Sequence, residues 1–383
     1  MRPLRFAPLI ALLPALALFA GSRPASPLPL FSRSRGAACA QCHTVLPSLN
    51  NAGIEFAQSG YRGATGHGLS WRADELPVSV VGSAGLAVSR PDGFRSGRPI
   101  TTGRLRRDVL ELHAAGAVAN RLSYHFGVGF EDRGEDLESG SAFLQFDDLI
   151  RDGGLNLRVG RFDAEIPFLS RARRTTLQNY LSPVTFDARG LELNGRRSKW
   201  TYAAGLSLSD RHSSGGSSPK RIDTPLEDTY LQLMREVGGH AVAAQMLFDR
   251  QDSNLSSLTW LQHLRAELAA TAGPARFPWK ASYVFDRFDD RPSAGIHERH
   301  QYVLLEALAL LDPGGRWAVT GRYEHDYRTQ NFFDPEEHRQ RGAMNLAWQA
   351  IPNAKLALEW AHTEERRPRQ RRDEFDAFVH ASW

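Results

Sequence analysis

The chain is poor in cysteine and methionine, has no long apolar run after its first residues, and carries little net charge. Only two cysteines and four methionines occur among 383 residues. Two cysteines cannot build a disulfide-stapled fold. No segment beyond the N-terminus reaches the roughly 18 consecutive apolar residues of a membrane-spanning helix. The formal net charge of +4 gives no drive toward nucleic acid, so we expect no nucleic-acid partner.

The N-terminus has the three-part pattern of a secretory signal. Arg2 and Arg5 form a short basic region, residues 7–20 form an apolar run, and small residues follow. The apolar run is too short for a membrane-spanning helix, and its basic and small flanking residues are those of a signal sequence. This pattern predicts a signal peptide over residues 1–25. An N-terminal core helix is the alternative.

The C-terminal segment alternates apolar and polar residues with period two, the pattern of a strand with one apolar face. It ends on an aromatic residue, as bacterial outer-membrane barrels do; an ordinary edge strand of a soluble sheet is the alternative. Phe378 is the one exception to the alternation. The apolar positions are Phe375, Ala377, Val379, Ala381 and Trp383.

Strand candidates of this kind fill the chain from Val78 onward, and we count about sixteen. Two of them, Gly190–Asn194 and Leu231–Val237, are weak. Two of the clearest strand candidates each have one apolar face. In the first it consists of Trp200, Tyr202, Ala204 and Leu206, and in the second it includes Trp279, Tyr283 and Phe285. Outward aromatics of this kind suit the interfacial girdles of a membrane barrel. The polar positions between them predict a lumen lined by residues that include Lys199, Lys280, Arg322 and Lys355.

Short and long links alternate along these strands. Short links of about 2 to 5 residues are expected near Asn120, Gly153, Arg196, Gly238, Gly273, Pro313 and Pro352. Between them fall the long links: Arg90–Leu105, Asp132–Gly140, Ala164–Ala188, Asp210–Pro225, Arg250–Ser257, Asp289–Ile296, Thr329–Glu337 and Glu364–Arg372. Tight periplasmic turns opposite long outer loops are typical of transmembrane barrels. We therefore predict an all-β fold, a transmembrane antiparallel β-barrel over residues 78–383 in the outer membrane of a Gram-negative bacterium. The Ala164–Ala188 link is a candidate to fold into the pore.

Both cysteines lie in the stretch Cys39–Thr44, CAQCHT, within the segment of residues 26–77. Cys-x-x-Cys-His is the attachment pattern of c-type haem. Cys39 and Cys42 would add to the two vinyl groups of one porphyrin, and His43 would be the proximal ligand of the haem iron. A thioredoxin-like pair lacks its βαβ unit here, and a zinc site would need two more ligands where only His67 is near.

The second axial ligand is open. No methionine lies in residues 26–77, and the other histidine there is His67, between two glycines. His67 is a possible distal ligand; a lumen-facing barrel side chain and an open site are the alternatives. The segment is too short to enclose a haem by itself. We expect a mainly helical segment, with Leu46, Leu49, Ile54 and Phe56 on one face of the haem, that sits at the periplasmic side of the barrel or inside it.

These features together resemble a known family, the fused outer-membrane monohaem cytochrome–porins, which include the iron oxidases of iron-oxidising bacteria. The architecture matches over the whole chain. The detailed resemblance rests on Cys39, Cys42, His43, Thr44, Pro47, Leu49, Asn50, Gly53, Phe56, Gly60, Tyr61 and Arg62.

The resemblance implies one covalent haem c and electron transfer across the outer membrane. Extracellular Fe(II) would be oxidised and the electron passed to a periplasmic electron-carrier cytochrome, making the chain an Fe(II):cytochrome oxidoreductase. Two alternatives stay open: a diffusion porin that favours anions and carries a haem-bearing plug, and an electron conduit for another extracellular donor.

The barrel shows no convincing iron site in its sequence. Two clusters of acidic residues occur in the barrel, and carboxylates suit ferrous iron as ligands. Solvated charge on loops is the simpler interpretation of both clusters. The basic stretches Arg171–Arg174 and Arg366–Arg372 are surface charge, with lipopolysaccharide phosphates as conceivable partners. The acidic clusters are Glu131, Asp132, Glu135, Asp136 and Glu138, and Asp286, Asp289 and Asp290.

Overall fold

The computed structural model describes most of the barrel and a short part of the N-terminal segment. The predicted signal peptide and His67 lie outside the described residues. Within the described part, no helix is long and apolar enough to cross a membrane. The described residues are 39–45, 47–59, 61, 78–91, 94–95, 98–99, 102–119, 121–130, 137–150, 153–164, 166–169, 174–181, 187–207, 228–252, 260–291, 297–330, 336–351, 354–366 and 369–382.

Sixteen antiparallel strands close into one barrel, as the sequence predicts. Each strand pairs with its neighbours along the chain, and the last strand closes the ring on the first. The barrel strands are β3 (Val78–Pro91), β6 (Thr102–Ala119), β7 (Leu122–Phe130), β8 (Leu137–Ile150), β9 (Leu155–Asp163), β10 (Asp187–Arg197), β11 (Trp200–Ser207), β12 (Asp228–Val237), β13 (His240–Asp252), β14 (Trp260–Ala272), β15 (Trp279–Arg291), β16 (His297–Leu310), β17 (Trp317–Gln330), β18 (Glu337–Ile351), β19 (Ala354–Arg366) and β20 (Arg369–Ser382).

Among the residues that the structure describes, four short strands lie outside the ring. β1 (His43–Val45) pairs with β2 (Ser48–Leu49) in the N-terminal segment, and β4 (Phe94–Arg95) pairs with β5 (Arg98–Pro99) in the β3–β6 link. The segment also has a 3₁₀ turn at Cys39–Gln41 and one helix, α1 (Asn51–Gln58). The expected helix is therefore present, but a two-stranded hairpin that the sequence did not predict precedes it.

Side-chain alternation sorts the two faces of the wall. In β11, Trp200 and Leu206 are about 40% exposed on the outside, whereas Thr201 and Ser207 are buried on the lumen side. In β15, Trp279 and Tyr283 face outward and Ser282 is buried inward. Closure of the ring pairs the backbone of each strand with two neighbours, while the alternation gives the wall an apolar outer face and a polar lumen. The predicted outer faces of these strands are confirmed.

The links alternate between the two ends of the barrel, but the predicted split into short and long links is only partly correct. The link predicted over Asp289–Ile296 has five residues (292–296), whereas the predicted short turns between β14 and β15 and between β16 and β17 have six each (273–278 and 311–316). We call the end with the tight turns the short-turn end and the other the long-loop end. The Glu364–Arg372 link was predicted to be long, but β19 and β20 pair up to Arg366 and Arg369, so only residues 367–368 join them. Lys199 was predicted to face the lumen, but it is exposed in the β10–β11 turn, where strand alternation no longer applies.

The break in the alternation of β20 has a structural reason. Phe378 points into the lumen and is 7% exposed. There it shares an apolar cluster with Val45 of β1 and with wall residues that include Leu308 and Ala357. An apolar side chain in a polar lumen thus marks where the N-terminal segment packs against the wall.

Candidate cofactor site at the barrel mouth

The Cys-x-x-Cys-His stretch forms one tight turn. Cys39 begins the 3₁₀ turn, and the N–H of Cys42 donates to the Cys39 carbonyl at 3.1 Å. Side chains three residues apart in a 3₁₀ turn lie on the same side. The two thiols, each partly exposed, are not joined in a disulfide. They are therefore presented together, as attachment to two points of one flat ring requires.

The hydrogen bond of the His43 ring fixes its tautomer. Nδ1 lies 3.2 Å from the Pro47 carbonyl oxygen. A carbonyl only accepts, so Nδ1 carries the proton and the lone pair lies on Nε2. An imidazole held in this way through a backbone carbonyl is the usual arrangement of a metal-ligating histidine. The donor set therefore fits the haem iron that the sequence motif predicts.

Asn50 ties this turn to α1. Its backbone N–H donates to the Cys42 carbonyl at 2.9 Å, and its Nδ2 donates to the Gln41 carbonyl at 3.1 Å. Its Oδ1 accepts from the N–H of Gly53 at 3.0 Å and so caps the helix. One side chain thereby fixes both the start of α1 and the orientation of the turn.

Gly53 allows α1 to approach the turn closely. A Cβ at this position would lie 2.2 Å from the Cys42 carbonyl oxygen and 2.9 Å from Leu49 Cδ2. The carbonyl belongs to the backbone and cannot rotate away as a flexible side chain would. The glycine is thus required by the packing of the helix on the cysteine turn.

This turn borders a cavity of about 1180 Å³ at the short-turn end of the barrel. Cys39 and His43 line one side, together with Leu49 and Ile54. The opposite side of the cavity is formed by residues of the barrel strands and of the turns between them: Gly238–His240, Thr271–Ala275, Pro278, Lys280, Glu306, Leu308, Leu310, Pro313–Arg316, Gln349 and Ile351. The volume exceeds the roughly 300–1,000 Å³ that is usual for ligand pockets, which suits a large cofactor.

Two groups add charge near the cavity. Lys280, which was predicted to face the lumen, does so, and its ammonium lies 3.4 Å from the Glu306 carboxylate. In the β16–β17 turn, the N–H of Trp317 donates to Asp312 at 2.6 Å and that of Gly314 at 3.1 Å. These backbone donors lower the pKa of Asp312, with Trp317 contributing most, so the turn keeps its carboxylate ionised.

The N-terminal segment contacts the wall at several points around the ring. Glu55 of α1 forms an ion pair with Arg196, near the end of β10, at 2.8 Å. Tyr61 takes a positive φ just after α1, and its ring stacks on His125 of β7 at 5.1 Å between centroids. Ile54, 6% exposed, lies in a buried apolar cluster with wall residues of β12 to β16. The described residues of the segment therefore pack against lumen-facing residues of the wall.

A second element fills the lumen beyond the cavity. It belongs to the Ala164–Ala188 link, and we call its described residues, 166–169 and 174–181, the strap. The strap leaves the ring between β9 and β10, yet its partners lie on β17, β19 and β20, about halfway round the ring. The prediction that this link folds into the pore is confirmed for the described residues.

Lumen carboxylates hold the strap by its backbone. Glu359 accepts from the N–H groups of Leu177 and Gln178 at 2.6 and 2.9 Å, and Glu324 accepts from that of Leu181 at 2.7 Å. Further bonds run from Gln178 to Asp376 at 2.8 Å and from Arg322 to Thr176 at 2.6 Å. Hydrogen bonds to buried ionised groups are among the stronger ones in proteins.

The strap also packs on the N-terminal segment. Phe168, Leu169 and Tyr180 lie in the same buried cluster as Ile54, and Leu177 packs on the cluster that contains Val45. Phe168 and Thr175 line the cavity itself. The strap therefore forms the wall of the cavity that faces the long-loop end.

The structure brings some predicted site residues together and not others. Cys39, Cys42 and His43 lie in one turn, of which Cys39 and His43 line the cavity and Cys42 does not, whereas the placement of His67 is not described. Met234 faces the lumen in the cluster of Ile54, but it does not line the cavity; Met246 and Met344 are exposed on the outer face.

The acidic cluster at Asp286 is not loop charge. Asp286 is buried in β15 and is bound by Arg265 at 2.9 Å and His263 at 3.1 Å. Among the described residues, no group of three or more His, Cys, Asp or Glu side chains is arranged to hold a metal ion. The strap-binding role of Glu324 and Glu359 was not foreseen; their only sequence signal is an acidic residue at a lumen position.

Comparison with known proteins supports the barrel alone. No protein-family model and no curated protein matches the chain. Among solved structures, in-vitro folded OmpT of Vibrio cholerae in its trimer form superposes with a TM-score of 0.59 at 10% identity, covering 80% of this chain and 99% of that one. An anion-selective porin from Comamonas acidovorans gives 0.59 at 9%, with the same coverages. Salmonella typhi OmpF gives 0.55 at 8%, covering 80% and 97%. The chain thus has the fold of outer-membrane porins.

Replacing Gly53 by alanine should loosen the cysteine turn. The added Cβ must displace the Cys42 carbonyl, and overpacking of this kind costs about 1–3 kcal/mol. In the full-length chain refolded without cofactor, alkylation of Cys39 and Cys42 should become faster in Gly53→Ala. Ala52→Ser, at an exposed position of the same helix, is the control. Equal alkylation rates in all three proteins would show that Gly53 does not position the turn.

Replacing Glu359 by glutamine should release the middle of the strap. The amide has one acceptor oxygen where the carboxylate has two, and each lost bond to a charged acceptor is worth about 1.5–3 kcal/mol. Deuterium exchange of the peptide spanning residues 174–181 should then speed up roughly tenfold or more. Glu365→Gln, which removes an ion pair with Arg339, is the control. Unchanged exchange in Glu359→Gln would contradict the anchoring role of Glu359.

Proposed function

We propose that this chain is an outer-membrane c-type cytochrome–porin that carries electrons across the outer membrane of a Gram-negative bacterium. Cys39 and Cys42 would hold one haem c covalently, and His43 would bind its iron. The electron donor is extracellular Fe(II), and the acceptor is a periplasmic electron-carrier cytochrome. The activity is that of an Fe(II):cytochrome oxidoreductase.

One observation carries the proposal: a complete Cys-x-x-Cys-His turn sits inside a porin-type barrel, at a cavity large enough for a porphyrin. The thiols lie on one side of the turn, and the Pro47 carbonyl holds the His43 ring in the tautomer that ligates through Nε2. A haem bound there would supply a one-electron site that alternates between ferric and ferrous iron.

The shape of the barrel supports the orientation. Tight turns face the periplasm in outer-membrane barrels, so the cavity opens toward the periplasm and the strap lies toward the outside. An acceptor cytochrome would reach the site from the periplasm, and Phe168 and Thr175 of the strap line the same cavity. A haem there would supply a one-electron acceptor on the periplasmic side of the strap, so ferric product would stay outside the periplasm.

Fe(II) as the donor rests on the family resemblance of residues 39–62 and on the chemistry of the site. A one-electron donor matches a single one-electron cofactor. The lumen does not offer a ready-made iron site among its described residues, so we expect Fe(II) to be oxidised without tight binding.

Covalent haem is the first test. The membrane-extracted wild type should show a haem-stained band and a c-type spectrum, and Cys39→Ser/Cys42→Ser should lose the stain because no thioether bond can form. His43→Ala should keep a stained band but change the spectrum, because the thiols remain while an axial ligand is lost. A wild-type protein without covalent haem would refute the proposal.

Iron oxidation is tested next on the haem-loaded, oxidised protein. Stopped-flow mixing with Fe(II) at the growth pH of the organism should reduce the haem, seen as the appearance of the ferrous spectrum. Dithionite reduction of the same sample is the control that the haem is redox-active. If dithionite reduces the haem but excess Fe(II) does not, Fe(II) is excluded as the donor. The remaining proposal is then an electron conduit for another donor.

A diffusion porin is the second candidate, and the lumen cations favour it. Lys280, Arg322 and Lys355 face the lumen, as predicted, and such groups attract anions. Arg322 is, however, engaged by Thr176 of the strap and by Glu324. Planar-bilayer conductance separates the candidates: large, stable open currents from the haem-loaded protein would favour the porin, and a closed barrel favours the electron conduit.

A further inference from the structure

The charged residues of the cavity lie on the side opposite the cysteine turn. Among the described residues that line the cavity, Cys39 and His43 belong to one side, whereas Lys280, Glu306 and Arg316 belong to the other. In a c-type haem the thioether bonds and the two carboxylate groups are on opposite halves of the ring. A haem attached at the cysteine turn would therefore present its carboxylates to the side of Lys280.

The ammonium group of Lys280 is open to the cavity. Its side chain is 16% exposed, and the nitrogen lies 3.4 Å from Oε1 of Glu306, whose side chain is 3% exposed. Hydrogen-bonded pairs of ammonium and carboxylate are closer, at about 2.7–2.9 Å. An ammonium group has three N–H donors. Lys280 can thus bind a second carboxylate from the cavity while Glu306 stays behind it in the wall.

A row of charges across the wall ends at Lys280. Glu306 lies directly between Lys280 of β15 and Arg322 of β17 in the strand register. Glu324 follows, 3.2 Å from Arg322 and 3.6 Å from Arg341. The row alternates in sign, and it begins and ends with a cation. A carboxylate beside Lys280 would extend the alternation, because opposite charges attract more strongly away from bulk water.

The hydroxyl group of Thr175 indicates the same kind of ligand. Thr175 of the strap is 3% exposed and lines the cavity. Its Oγ1 has no hydrogen-bond partner among the described residues, whereas Oγ1 of the next residue, Thr176, accepts from Arg322 at 2.6 Å. Buried polar atoms nearly always have a partner, so an unpartnered one marks the position of a ligand atom or a water molecule. A carboxylate oxygen in the cavity would accept from this hydroxyl.

Arg316 adds a second cation at the cavity. It is exposed in the turn between β16 and β17 and lines the cavity. Asp312 of the same turn interacts with it electrostatically, but the Asp312 carboxylate accepts backbone N–H groups of the turn and does not line the cavity. The guanidinium group can therefore offer two parallel hydrogen bonds to a carboxylate in the cavity.

We infer that Lys280 and Arg316 bind the two carboxylate groups of the haem, with Thr175 as a further donor. The inference rests on the proposed function, because the ligand is the haem of that proposal. Two cations on one side of the cavity match two carboxylates, and Glu306 is a positioning residue for the Lys280 ammonium. These contacts fix the rotation of the ring in the cavity. They also bring positive charge close to the ring, which favours ferrous over ferric iron.

The first test compares haemin with haemin dimethyl ester, in which both carboxylates are blocked. The full-length chain, refolded in detergent without cofactor, is titrated with each porphyrin, and binding is read from the absorption spectrum. The wild type should bind haemin roughly tenfold or more tightly than the ester. Lys280→Gln/Arg316→Gln should lose this preference because both cations are gone. Arg276→Gln, at an exposed position of the neighbouring turn that does not line the cavity, is the matched control and should keep it.

Glu306→Gln should change the preference in the opposite direction. Removing the carboxylate behind Lys280 frees the ammonium group, so the preference for haemin should rise above that of the wild type. In the covalently loaded protein, spectroelectrochemistry should give a lower haem potential for the double variant, because the lost positive charge no longer favours ferrous iron. Arg276→Gln should leave the potential unchanged. Circular dichroism and heat-modifiable migration confirm that each variant is a folded barrel.

The outcomes separate this inference from the proposed function. If the wild type binds haemin and its ester with equal affinity, or if the double variant keeps the wild-type preference, the haem site stands and the inference is wrong. If the wild type binds neither porphyrin, the haem site and the inference are refuted together.

Discussion

The N-terminal segment is too small to bury its own apolar residues, and the rest of the site depends on how it solves that constraint. Ile54 of α1 and Val45 of β1 are buried against the lumen wall and the strap, not within the segment. The barrel therefore acts as the missing half of a small domain. The cavity beside His43 is the space between the segment and the wall that their side chains do not fill.

This dependence explains features that look irregular by themselves. Phe378 breaks the polar alternation of a lumen face because it meets Val45. Glu324 and Glu359 are buried carboxylates in the wall, which would be costly without partners, and the backbone N–H groups of the strap provide them. The strap in turn covers the face of the N-terminal segment that points toward the long-loop end. Wall, strap and segment thus stabilise one another as a single packed unit.

Much of the fold was predictable from local pattern. Period-two alternation, turn residues and the sorting of loop lengths gave sixteen strands and the outer faces of β11 and β15. Two predictions were wrong because the local residue pattern gives no information at those positions. Arg366 and Arg369 continue the pairing of β19 with β20 through a basic stretch that resembles a loop, and Lys199 falls in a tight turn. The site divides in the same way. Cys39, Cys42 and His43 follow from a short motif, whereas the pairing of Glu359 with Leu177, 182 positions away, leaves no local trace.

The central claim is that one haem c sits between the cysteine turn and the barrel wall. An experimental density map of the haem-loaded protein, purified from membranes, tests it most directly. We expect haem density in the cavity, bonded to Cys39 and Cys42, with His43 on the iron and the strap on the side of the long loops. A map with no porphyrin bound to these thiols, or with the N-terminal segment outside the barrel, would contradict it.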